Sequence, residues 1–185
     1  MHFQSHVDNV VNRARRLAGL MFHSFQSRSK FVILPIFLTL IRPTLEYASV
    51  IWNPYKIKQI KKLEAVQRYV TKRLYGYSQL SYDERLNSLK LPKLSARRQY
   101  FDLVEVYKII HGISFVGKIS YTFLNRRTRG HQWRIKPMKF TRNVRKTALL
   151  IRAANSWNLL PASVAEATSL SQFKTRLRHY LSFPK

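Results

Sequence analysis

Residues 31–41 contain a single side chain that is not apolar, Thr39, and Lys30 and Arg42 bound the run. A membrane-spanning helix needs about 20 consecutive apolar residues, so this shorter run predicts a buried core helix. Pro35 and Pro43 each remove a backbone donor and should bend or segment it. Before the run, Val7, Val10, Val11, Ala14, Leu17, Ala18, Met21 and Phe25 recur at three- and four-residue spacing. That period predicts an amphipathic helix over residues 5–25. After an Asn53-Pro54 turn, Ile57, Ile60, Leu63, Val66, Val70 and Leu74 predict a second, over 56–74, closed by Gly76. Ser81 with Glu84 three residues on forms a capping box. Leu94, Tyr100, Leu103, Tyr107 and Ile110 then predict a helix over 93–111, with Gly112 at its C-terminus.

The helical period is lost over 113–141, where residues 133–136 alternate as a half-buried strand would. It returns over 144–160. Ser169, with Gln172 at the matching position, caps a last helix that turns Phe173, Leu177, Tyr180 and Leu181 inward. The pattern predicts a mainly α fold. Residues 1–112 are expected to form a helical bundle, and 113–185 a basic loop and strand segment followed by a helical subdomain.

Charge changes what this fold is expected to do. Thirty-four Lys and Arg against eight Asp and Glu leave a formal charge of +26 and a pI near 11.1. Such a surface is best neutralised by a polyanion, so RNA, DNA or their hybrid leads as partner, ahead of an anionic membrane or an acidic protein. Lys58, Lys61, Lys62, Arg68, Lys72 and Arg73 load the 56–74 helix against one acid, Glu64. A charge run is usually a solvated helix face, but opposite charges for i,i+4 pairing are scarce here. These six cations are therefore candidate phosphate contacts, and Arg126, Arg127, Arg129 and His131 are a second candidate patch. The adjacent acids Asp83 and Glu84 could suggest metal-assisted phosphoryl chemistry, but a helix's first turn accounts for them. His2 and His6 share a helical spacing without a third ligand in sequence reach, so no metal site is assigned. Cysteine is absent, which excludes thiolate sites and disulfides. The first thirty residues lack an apolar leader core, so a non-secreted protein of the nucleus and cytoplasm, without a membrane partner, is expected.

One resemblance gathers these pieces. Leu40-Ile41-Arg42-Pro43-Thr44-Leu45-Glu46-Tyr47-Ala48 and Ile51-Trp52-Asn53-Pro54 resemble the post-catalytic part of reverse transcriptases from non-LTR (LINE-type) retrotransposons. Leu63-Glu64, Val66-Gln67-Arg68, Ser81-Tyr82, Leu91-Pro92 and Arg97-Arg98 follow in an order familiar from that family. So do Tyr107-Lys108-Ile109-Ile110-His111-Gly112, Thr128-Arg129-Gly130-His131, Trp157-Asn158-Leu159-Leu160-Pro161 and Phe173-Lys174. The resemblance implies the thumb, and the region after it, of an RNA-directed DNA polymerase. The paired aspartates of the family's palm are absent from this sequence. The expected function is therefore a nucleic-acid-binding fragment that grips the template–primer backbone and is inactive alone. No cofactor is expected, and Mg²⁺ would enter only with an upstream palm domain. The alternatives are part of a full reverse transcriptase whose catalytic half is encoded upstream, and a basic structural component of a ribonucleoprotein.

Overall fold

The computed structural model describes residues 3–114, 121–124, 130–136 and 148–183. The chain is mainly helical, and it divides into two compact units, Met1–Ser95 and Ala96–Phe183. The sequence pattern instead places a boundary at 112, where the helical period fails. The structural division falls in the first turn of one long helix, because the apolar residues after that turn pack into a different core.

In the first unit, α1 (Gln4–Ser24) buries Val7, Val11, Ala14, Ala18 and Met21. They pack in one core with Ile33, Phe37, Ile41 and Leu45 of the apolar run and with Leu63, Val66 and Val70 of α5 (Ile57–Lys72). The apolar run is irregular just before Pro43, whereas Pro35 lies inside a helix without ending it. Ser29 Oγ accepts the Phe31 N–H and starts α2 (Lys30–Ile36). A π-helical turn (Phe37–Ile41) follows, then α3 (Arg42–Glu46). Pro43 has no N–H to continue the i→i−4 ladder. At that point the Arg42 N–H reaches back five residues, to Phe37 O. Hydroxyls bond carbonyls of the widened turn: Thr39 Oγ1 donates to Pro35 O at 2.8 Å, and Thr44 Oγ1 to Leu40 O at 3.0 Å.

The run is not buried on all sides. Ile33, Phe37, Ile41 and Leu45, each four residues apart, are fully buried, whereas Phe31 and Leu40 are 80% and 59% exposed. A uniformly apolar sequence gives no sign of which stripe faces inward; only packing against α1 decides it. Beyond α3, Ala48 adopts φ +50° and turns the chain into α4 (Ser49–Trp52). The Trp52 indole is buried and donates to Tyr47 O at 2.8 Å, and His6 packs edge-on against it. His2 lies outside the described residues. No helix among the described residues is long and apolar enough to cross a membrane.

The helix α6 (Tyr82–Ser88) begins in the capping box expected of it. Ser81 Oγ accepts the Glu84 N–H at 3.3 Å, and Glu84 Oε2 accepts the Ser81 N–H at 2.7 Å. Hydrogen bonding to the carboxyl from the Ser81 side chain, and then from the Ser81 backbone N–H, holds the exposed Glu84 below its usual pKa.

The second unit is organised by α7 (Leu94–Ile110), α8 (Leu149–Asn158), α9 (Ala162–Ala165) and α10 (Leu170–Tyr180). Leu103, Val106 and Tyr107 of α7 share a core with Trp157, Phe173 and Leu177. Tyr107 stacks on Phe173 at 4.3 Å between ring centroids and donates to Ala167 O at 2.7 Å. Ser169 caps α10 as its spacing predicts, accepting the Gln172 N–H. Phe173 and Leu177 are buried and Leu181 is half-buried, but Tyr180 is 45% exposed, contrary to the inward position expected of it. Asp102 accepts two bonds from the Arg152 guanidinium, at 2.9 and 2.7 Å. Glu105 pairs with Lys108, the i,i+3 partner that its position suggests.

The expected strand is reduced to one antiparallel bridge, Phe123 to Ile135, flanked by bonds from Leu124 N to Arg134 O and Lys136 N to Thr122 O. The other edge of Ile135 is occupied. Asn158 accepts its N–H and donates to its carbonyl, both at 2.8 Å, so the amide stands where a third strand would pair.

Two histidines of this unit give a pH prediction. His111 stacks at 4.1 Å on Tyr107, and its Nε2 is buried without a hydrogen-bond partner. His131 is buried, with Nε2 at 3.0 Å from Trp157 O and Nδ1 unpartnered. Burial pushes both imidazoles below their usual pKa; for His131 the Trp157 carbonyl and Glu166 partly oppose this, while Arg134 reinforces it. A depressed folded pKa means that stability is fully present above the unfolded value near 6.5 and declines as pH falls below it. The urea midpoint of the second unit should therefore drop between pH 7.5 and pH 5.5. Replacing His111 and His131 with glutamine should shrink that drop; an undiminished drop would assign it to other groups.

Candidate nucleic-acid interface

Successive helical residues turn by about 100°, which sorts the six cations of α5. Lys58, Lys61, Arg68 and Lys72 fall in one stripe opposite Leu63, Val66 and Val70, and all four are exposed. Their stripe extends about 21 Å along the helix at 1.5 Å per residue. One strand of duplex DNA passes roughly six phosphates over that distance. Among the described residues, no carboxylate pairs with any of the four.

Lys62 and Arg73 lie to one side, where they meet α1 and its neighbours. Lys62 Nζ bonds Asp8 in a half-exposed ion pair. Arg73 sits 3.6 Å from the Tyr69 ring centroid and 5.9 Å from that of Phe22. Both keep their charge near the stripe but are engaged within the protein. Of the second candidate patch, only His131 falls among the described residues. Arg126, Arg127 and Arg129 lie outside the described residues. His131 is 2% exposed and belongs to the core around Trp157 rather than to a phosphate-contacting surface. Its sequence neighbours suggested a basic loop; its bond to Trp157, 26 residues away, is invisible locally.

Glu64 is the larger surprise. On sequence it is the lone acid of a basic helix. In the structure it is 8% exposed and accepts three donors: the Tyr82 hydroxyl, the Leu94 N–H at 3.2 Å and the Ser95 N–H at 3.3 Å. It thus caps the start of α7 and anchors α6 at the same time. Gln67, one residue short of the next turn, completes the joint by donating to Pro92 O at 3.0 Å and to the Tyr82 oxygen at 3.2 Å. Burial, reinforced by the Glu64 carboxylate, pushes the Tyr82 phenol above its usual pKa, so it stays a donor. The Arg68 guanidinium lies 4.6 Å above the Tyr82 ring.

Beside the stripe, α5, the first turn of α6 and the start of α7 enclose a cleft of about 400 Å³. Lys61, Arg68 and Lys93 line it, together with Glu64, Tyr82 and Asp83. Lys93 bonds Asp83 at 2.8 Å across an exposed pair. Sequence reasoning missed Lys93, whose only local signal was its place just before a helix.

No family model matches the chain, and no solved structure does. The chain is 23% identical, over 116 residues, to a Caenorhabditis elegans protein described as "Uncharacterized protein B0403.1". The match takes in 61% of this chain and 57% of that protein, so the chain spans little more than half of its relative's length.

Proposed function

We propose that this chain binds the backbone of duplex nucleic acid without sequence preference, as a thumb-like fragment of a non-LTR retrotransposon reverse transcriptase. The observation that carries the reading is the exposed stripe of Lys58, Lys61, Arg68 and Lys72, unpaired by any described carboxylate on a chain of charge +26. Lysine and arginine spaced along a rigid helix neutralise successive phosphates and release condensed counterions, which favours binding whatever the bases. The family resemblance agrees with such a role, since a thumb holds a duplex that its palm copies. The palm's paired aspartates are absent from the sequence, so polymerisation and any Mg²⁺ would belong to an upstream domain.

Fluorescence anisotropy with two unrelated duplexes of about 20 base pairs, several times the span of α5, tests this reading. Affinities within about threefold of each other are expected, and with an RNA–DNA hybrid of either sequence binding should persist. No binding at low salt, or strong preference for one sequence, would overturn it. Primer extension on an RNA template with Mg²⁺ should yield no product from the chain alone.

A further inference from the structure

The cleft beside the stripe has features that a line of exposed lysines lacks. It is concave, it is walled by three elements, and one of its cations is held in place before any ligand arrives. The Tyr82 hydroxyl is fixed on Glu64, and the Tyr82 ring carries the Arg68 guanidinium at 4.6 Å. A guanidinium fixed in this way presents a fork of donors suited to two oxygens of one phosphate. Lys61 lies on the same helix, one helical repeat of seven residues before Arg68, and Lys93 lines the cleft from the start of α7. Lys93 is held by Asp83, whose side chain is 68% exposed and takes no part in the capping box formed by Ser81 and Glu84.

We propose that this cleft receives the terminal phosphomonoester of a nucleic-acid strand, with Arg68 and Lys93 as its principal ligands and Asp83 as an internal competitor for Lys93. The inference rests on the nucleic-acid reading above and names a specific subsite of the same surface. A terminal phosphate carries nearly two negative charges at neutral pH, against one for a backbone diester. Cations converging from two elements favour that compact dianion, whereas a linear stripe suits consecutive diesters. A volume of about 400 Å³, lined by residues of three elements, admits a strand end. Arg68 serves both features: it belongs to the diester stripe and also lines the phosphomonoester site.

The test uses one duplex with a short 5′ overhang, prepared with a 5′-phosphate or a 5′-hydroxyl and compared at equal ionic strength and pH 7.5. The phosphate should raise affinity about tenfold, the scale of a charge-assisted hydrogen bond. Lys93→Gln should remove that advantage, lowering affinity for the phosphate end far more than for the hydroxyl end. Arg68→Lys, which keeps the charge but loses the fork, should reduce it. Asp83→Asn should enlarge it, because Lys93 is released; this variant leaves both capping-box bonds intact. Lys58→Gln should weaken both duplexes equally and leave their ratio alone. Equal affinity for the two ends would overturn the inference while leaving the binding function standing. So would an advantage that survives Lys93→Gln. Failure of both duplexes to bind would instead remove the function on which it rests.

Discussion

Replacing Glu64 with alanine should destabilise the first unit by about 3–5 kcal/mol, because three donors lose a buried charged acceptor. The carboxylate is 8% exposed and joins three elements through Tyr82, Leu94 and Ser95. Its removal leaves the first N–H groups of α7 without their cap and the Tyr82 hydroxyl without its acceptor. Glu64→Gln keeps one acceptor oxygen and should cost less. Urea unfolding, followed by circular dichroism and by Trp52 fluorescence in a background with Trp133 and Trp157 replaced by phenylalanine, reads both variants. A loss under about 1 kcal/mol for the alanine variant, the scale of one ordinary hydrogen bond, would show that Glu64 does not organise the joint. Because Tyr82 positions Arg68, Glu64→Ala should also weaken phosphate binding beyond its effect on folding.

The second large effect falls on binding and spares the fold. Changing Lys58, Lys61, Arg68 and Lys72 together to glutamine should lower duplex affinity at least about a hundredfold at low salt, since four phosphate contacts disappear at once. All four side chains are exposed and face away from Leu63, Val66 and Val70. Glutamine retains good helix propensity, so the unfolding midpoint should stay within the ordinary range for surface changes. A matched variant of Arg13, Arg15, Arg16 and Arg176, four exposed cations outside α5, should lose much less affinity. Equal losses in the two variants would mean that net charge, rather than the α5 stripe, drives binding.

What could be read from the sequence follows the range of the interactions concerned. The amphipathic periods of α1, α5 and α7 and the caps at Ser81 and Ser169 depend on residues within a few positions, and all appear in the structure. The irregular turn ahead of Pro43 was legible for the same reason. Glu64 was not, because its partners lie 18, 30 and 31 residues away and nothing local distinguishes a cap for another helix from a solvated acid. Lys62 and Arg73 are engaged through Asp8, Tyr69 and Phe22, two of which belong to α1. The same limit applies to residues 133–136, whose alternation is real but whose outer edge is taken by Asn158. Of the candidate site, the cationic face of α5 was legible from charge and period. The cleft was not, since it exists only where three elements meet.

The salt dependence of duplex affinity reports most directly how many phosphates α5 holds. Each phosphate neutralised on B-DNA contributes about −0.9 to the slope of log affinity against log salt. With four contacts from α5, the wild-type chain should show a slope of about −3.6 or steeper. The variant with all four cations changed to glutamine should be flatter by about that amount. A shallow wild-type slope, or one that the four substitutions leave unchanged, would contradict the claim that this helix grips the backbone.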